Sequence, residues 1–376
     1  MKICIISGNL GSNAFGRAWI LAKAVQLNHE VSIVGTEWGK GIWSVADLTG
    51  LELKSVKGDL LPAYRKIFRE TVDIVEGDII YAVKPKLSSF GVGLKAGKKL
   101  KVPVVLDIDD DETAFTEGFW NCWKPNSLRD PNAYLSTRLM ESRVDKADAL
   151  TVISEYFRNK FGRGIIIPHG RDTEAMDPDK FEGEFEKRKR GYEGLKLCVF
   201  LGTPRKHKGI EKILSAIRIL NRKDLKLLIV GADSNNSYIQ QLRETGGNDL
   251  ILEPPRPFSE IPEWLSIADV VVIPSESGAQ SRGQVPAKLI DAMAMGRPII
   301  LSDIPVLRET AGESALYFNE NDIGQLAVMV EQIIDDAHFA DDLGIKARTR
   351  CIELFSLKAM SNKLNGIFHS VTKAAL

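Results

Sequence analysis

The chain is poor in cysteine, has no long apolar run and carries no excess charge of either sign. Its four cysteines, Cys4, Cys122, Cys198 and Cys351, are far apart in 376 residues. They form no C-x-x-C pair, so no zinc knuckle or dithiol redox motif is present. Cys4 and Cys198 sit in apolar runs and read as buried thiols packed like small hydrophobes. Lys plus Arg and Asp plus Glu are both 50, which removes the basic footprint of a nucleic-acid binder. No run approaches the roughly 18 apolar residues of a membrane span. Only four consecutive apolar residues, Ile3 to Ile6, stand ahead of Ser7 and Gly8, short of the roughly 7–15 of a signal-peptide core. A cytoplasmic protein is expected. The histidines are scattered without zinc-ligand spacing; His169 falls in the turn IIPHGRD. Gly8, Gly11 and Gly16 do not make G-x-G-x-x-G, and neither a G-x-x-x-x-G-K-[ST] loop nor a G-x-S-x-G elbow occurs. Readings as an NAD enzyme, an ATPase or a serine hydrolase lose their usual support.

What is present is one pattern used twice. The length suggests two cores, and a composition of 44% hydrophobic and 27% charged residues is that of an ordinary globular protein. Ile3–Ile6 reads as a strand, 8–13 as a loop, Ala14–Leu27 as an amphipathic helix and Val31–Val34 as a second strand. The order returns at Leu197–Leu201, the loop Gly202–Gly209, a helix Ile210–Asn221 and a strand Leu227–Val230. Further strands alternate with helices in each half, which predicts α/β architecture: two Rossmann-like domains whose parallel sheets face a cleft. Residues 1–172 form the first domain and 195–356 the second. The charged stretch 173–194, with Lys187-Arg188-Lys189-Arg190 after three glutamates, reads as a solvated linker. Residues 357–376 read as a final helix.

Three segments carry chemistry. Gly283–Ile300, GQVPAKLIDAMAMGRPII, reads as a loop, a helix with Pro286 first, and a buried strand. Helix-start N–H groups can hold phosphate, and Asp291 one turn on can accept a ribose's hydroxyls; Lys288 lies near it. The loop Gly202–Gly209 gathers Arg205, Lys206 and Lys208 around His207. Arg205 can fork onto a pyrophosphate and Lys208 adds a point charge, which suits a diphosphate leaving group; the other reading is solvated surface. The acidic run Asp107–Glu112 ends a strand. It admits a D-x-D metal site, a helix N-cap, or a carboxylate, Asp109 or Asp110, facing the cleft. Gly11 lets a phosphate or sugar approach the backbone, or serves only the turn. Lys84, Lys86, Lys95, Lys98, Lys99 and Lys101 form a run without acids that could dock on anionic lipid or simply face water.

The order GNLGSNAFGR, ADALTVIS, IIPHGRD, LGTPRKHKG, IADVVVIPS and GQVPAKLIDAMAMGRPII resembles the family 4 glycosyltransferases of the GT-B fold over nearly the whole chain. The resemblance implies a nucleotide-sugar donor held by the second domain and an acceptor held by the first. It also implies retention of anomeric configuration and no essential metal or other cofactor. The last helix would cross back to the first domain. Carried over, Lys208 matches the lysine on the donor diphosphate and Arg205 stands for the arginine, although Thr203 directly follows the glycine. Asp291 matches the ribose-binding second glutamate. Gly283 stands where the first glutamate is usual, with Gln284 and Val285 presenting N–H groups to the donor; Glu276 is a substitute acid nearby. Asp109 and Asp110 fall where many members carry a histidine beside the sugar. The expected activity is transfer of a hexose to a glycan or lipid-linked acceptor in surface polysaccharide or glycoconjugate synthesis. A nucleotide-sugar 2-epimerase and a non-catalytic nucleotide-sugar-binding protein are the alternatives. Asp291→Asn is expected to weaken nucleotide binding and leave folding intact.

Overall fold

The computed structural model describes residues 1–39, 41–43, 48–116, 118–233, 236–279 and 281–375. Two compact units form. The first comprises Met1–Gly170, the short segment Arg282–Gln284 and the final helix Leu357–Ala375; the second comprises Arg171–Ser281 and Val285–Ser356.

In the first unit seven strands pair in parallel in the order β3-β2-β1-β4-β5-β6-β7. They are β1 (Lys2–Ser7), β2 (Glu30–Glu37), β3 (Glu52–Lys57), β4 (Ile79–Val83), β5 (Val104–Ile108), β6 (Ala149–Val152) and β7 (Ile165–Ile166). The interior strand β1 sets Ile5 against Ile33 of β2 on one side and Tyr81 of β4 on the other. β4 and β5 are buried along their whole length. They read as continuous apolar runs because helices cover both faces of such a sheet. β3 was not legible from pattern: ELKSVK is polar and partly exposed at the sheet edge. The helix Phe15–Val25 lies against the final helix. Met360, Leu364, Ile367, Phe368 and Val371 repeat at helical spacing and join Phe15, Leu21 and Tyr81 in one core. Each such fully buried side chain contributes about 1.5–3 kcal/mol.

In the second unit six strands pair in parallel in the order β10-β9-β8-β11-β12-β13. These are β8 (Lys196–Leu201), β9 (Leu225–Val230), β10 (Leu250–Glu253), β11 (Val270–Ile273), β12 (Ile299–Ser302) and β13 (Leu316–Phe318). The stretch 173–194 differs from the solvated linker expected of it. Met176 is buried, and a helix forms over Gly183–Lys189. Lys187 buries its stem and reaches Asp269 at 2.7 Å. Arg190 lies 4.5 Å from the centre of the Trp264 ring. Long basic side chains cover apolar surface while their ends keep polar partners, so a run of alternating charge can still pack.

All four cysteines are buried and free. Burial pushes the Cys4 thiol up to about 11 and the Cys351 thiol up to about 12, far from the range of a reactive thiolate. No helix among the described residues is long and apolar enough to cross a membrane.

Candidate functional sites

Open parallel sheets bind ligands where the strand order reverses, beyond the carboxyl ends of the strands. Each unit has one such point: between β1 and β4 in the first, between β8 and β11 in the second. The loop Gly202–Gly209 follows β8 at the second of these points, and Lys84 follows β4 at the first.

In the second unit the loop after β8 closes with a 3-10 turn at Lys206–Lys208, and Gly209 starts the helix Ile210–Leu220. Arg205 is exposed and His207 and Lys208 are half-buried. Burial, with Lys208, Arg205 and Lys288, pushes the imidazole of His207 down to about 4, so it is neutral near pH 7. The loop after β11 leads into the helix Ala287–Ala294, whose N-cap is Pro286; the first helical residue is therefore Ala287, not the expected Pro286. Glu276 in that loop is exposed and lies 3.6 Å from Lys212. Lys288 reaches back over β8, its Nζ 3.4 Å above the centre of the Phe200 ring. Asp291 is buried and ion-paired with buried Arg171, whose guanidinium also reaches the Ala287 carbonyl.

In the first unit a cavity of about 580 Å³ opens at the ends of β1 and β4, against Gly8, Asn9, Lys84, Ser88, Glu112 and Tyr134. Lys84 directly follows β4 with φ of 71°, a conformation uncommon outside glycine and often kept where function needs it. Its ammonium lies 2.9 Å from Asp109, 3.0 Å from Asp110 and 2.5 Å from Glu112. Burial alone would lower its pKa; the three carboxylates outweigh that and hold it well above the ordinary lysine value. Lys86 meets Glu112 at 3.1 Å and Thr137 at 3.2 Å. Asp107 plays a structural part. Arg17 donates to both of its oxygens at 2.9 and 2.8 Å, and Thr151 adds a hydrogen bond of 2.7 Å. Asp111 pairs with Lys160 at 3.1 Å.

The acidic run thus divides by role. Asp109, Asp110 and Glu112 stand close enough to share a cation, and Lys84 supplies one. Glu112 is the acid of the three that lines the cavity. Lys84 and Lys86 are held among these carboxylates, which corrects their placement on a free lysine face; Lys95, Lys98, Lys99 and Lys101 are exposed.

Gly11 makes its close approach to the chain itself. A side chain there would meet the Gly41 carbonyl at 2.8 Å, and Gly11 does not line the cavity. Gly283 has φ of 76°, and a Cβ would clash with the Tyr156 ring, 2.9 Å from its Cγ and closer still to Cδ1. Any side chain there would meet that ring and be strained by the positive φ. Ser154 donates to the Gly283 carbonyl at 2.8 Å, and the Gln284 amide donates to Asp110 at 2.7 Å. Val285 is buried. Sequence reading missed Lys84, Arg17, Arg171 and the reach of Lys288. A signal for the first existed: Lys84 directly follows Val83, which pairs with Asp107 across β4 and β5, so Lys84 falls beside the acidic run.

Residues 196–336 match the family model described as glycosyl transferases group 1. D-inositol 3-phosphate glycosyltransferase of Paenarthrobacter aurescens is 26% identical over 228 residues, 57% of this chain and 53% of that protein. Alpha-maltose-1-phosphate synthase of Mycolicibacterium smegmatis is 23% identical over 66% of this chain and 70% of its own length. The chain spans about half the length of the first of these relatives. Among solved structures, Anabaena Alr3699/HepE in complex with UDP and glucose superposes with a TM-score of 0.75 at 14% identity, covering 98% of this chain and all of that one. Residues 196–336 are a glycosyl transferases group 1 domain, and the chain has the two parallel-sheet α/β units of the GT-B glycosyltransferase fold.

Proposed function

We propose that the chain is a glycosyltransferase that moves a hexose from a nucleotide-sugar to an acceptor hydroxyl with retention. The observation that carries this is the cationic loop after β8, with Arg205 and Lys208, beside the helix start at Ala287 in a group 1 domain. In the transfer the bond from the anomeric carbon to the β-phosphate oxygen breaks and a bond to the acceptor oxygen forms. The leaving diphosphate keeps the electron pair and takes the acceptor's proton. Fixed cations aimed at the developing charge accelerate such a step, and here Arg205 and Lys208 fill that role without a metal. Gln284 and Val285 at the loop's end present backbone to the donor, and Asp291 accepts from its ribose. A uridine diphosphate sugar is the first donor to test, because the HepE structure holds UDP and glucose.

The acceptor lies in the first unit's cavity. Both lysines of that cavity are neutralised by carboxylates, which disfavours a phosphorylated acceptor and favours an uncharged sugar, free or lipid-linked, in glycan synthesis. The same pairing ties up Asp109, Asp110 and Glu112, the acids a 2-epimerase would need for proton abstraction, and so supports transfer.

Thermal melting with UDP, GDP, ADP, CMP and dTDP, with and without Mg²⁺, tests the donor site. A ligand at about 100 times its dissociation constant stabilises by roughly 2.7 kcal/mol. UDP is expected to raise the midpoint equally with and without Mg²⁺. Lys208→Ala should cut that shift and slow transfer by about tenfold or more. A wild-type transfer rate in that variant would show the loop to be only surface.

A further inference from the structure

We propose that Lys288 is a second binding cation for the donor's diphosphate, converging with Lys208 on the anion. The inference deepens the donor-site reading above and rests on it. Lys288 is the second residue of the helix Ala287–Ala294, where the helix field is positive and disfavours an ammonium. Its Nζ does not turn outward. It lies over the Phe200 ring and close to Gly202, where an added side chain would meet it at 3.8 Å. Among the described residues no carboxylate comes within ion-pair distance of it, and Asp291, one turn along the same helix, is taken by Arg171. Across from it, on the loop after β8, stands Lys208, with neutral His207 beside. A lysine held at the end of β8 beside a helix start, with a second lysine near enough to depress its proton affinity, suits an anion of more than one charge. Lysine is suited to this because its charge, unlike arginine's, can be absent until the anion arrives.

The electrostatics agree. Burial and then Lys208 pull Lys288 well below the ordinary lysine value, and Asp291 offsets only part. An arriving diphosphate reverses the sign of the local field and restores the proton. Binding is then coupled to proton uptake, and affinity falls as pH rises above the free enzyme's value.

Calorimetry of UDP binding at pH 8, in two buffers of different ionisation enthalpy, tests this. The terminal phosphate, with a pKa of about 6, is already ionised there. Wild type is expected to take up a substantial fraction of one proton. Lys288→Met should abolish that uptake and weaken binding about tenfold or more, as loss of a charged hydrogen bond does. Lys288→Arg should retain binding better than methionine, without uptake. Equal heats in the two buffers for wild type would overturn the inference while leaving the donor site intact, as would wild-type affinity in Lys288→Met. Absence of UDP binding in both buffers would overturn the uridine-donor reading and this inference with it.

Discussion

Asp291→Ala is expected to destabilise the protein by about 3–5 kcal/mol, the usual cost of removing one partner of a buried ion pair. Asp291 and Arg171 are both buried and paired with each other. Without the carboxylate, Arg171 keeps a hydrogen bond to the Ala287 carbonyl but loses the ion pair that offsets its burial. The melting midpoint should fall by on the order of 10 °C. Asp291→Asn keeps an acceptor and loses the charge, so a smaller loss of about 1.5–3 kcal/mol is expected. This corrects the sequence-based expectation that the asparagine variant leaves folding intact. Nucleotide binding therefore needs a control that breaks the same pair from the other side. Arg171→Met removes the pair yet leaves the carboxylate. If affinity drops in Asp291→Asn and holds in Arg171→Met, the carboxylate itself meets the ribose. If both variants lose affinity alike, Asp291 acts by holding the helix start in position. An unchanged melting midpoint in Asp291→Ala would show that the pair contributes nothing.

The contrast between the two halves of that pair shows what sequence could reveal. The doubled strand–loop–helix–strand pattern was legible because Ile3–Ile6 and Leu197–Leu201 are apolar runs closed by glycine loops. Asp291 was legible because it stands at a fixed helical spacing after Pro286. Arg171 was not, since its partner lies 120 positions away and only the fold joins them. β3 escaped because an edge strand need not be apolar. The role of Gly283 escaped for a different reason: the glycine was visible, but the Tyr156 ring that a side chain there would meet was not. Charged runs were the least readable. Lys84 and Lys98 look alike in sequence, yet one is half-buried among carboxylates and the other is exposed.

Lys84→Met should make the protein's stability respond to divalent cations. Asp109, Asp110 and Glu112 offer oxygen atoms all within 4.8 Å of one another, and the Lys84 ammonium now balances them. Methionine keeps an unbranched side chain one atom shorter and removes the charge. At pH 7.5 the three carboxylates would then repel in a buried setting, and a loss of about 3–5 kcal/mol is expected. The pH dependence has a definite sign. Burial pushes the Asp109 carboxyl up to about 7, against the pull of Lys84 and with the repulsion of Asp110. Its stabilising contribution is therefore complete below its ordinary value and is lost as pH rises through about 7. Without Lys84 the folded-state value rises further, so the gap between variant and wild type should widen from pH 5 to pH 8. Mg²⁺ or Ca²⁺, hard cations that favour carboxylate oxygen, should close part of that gap in the variant and leave wild type unmoved. Equal stabilisation of both proteins by the metal would sink the claim that Lys84 takes the cation's place. A variant as stable as wild type at pH 8 would show that the carboxylates need no cation at all.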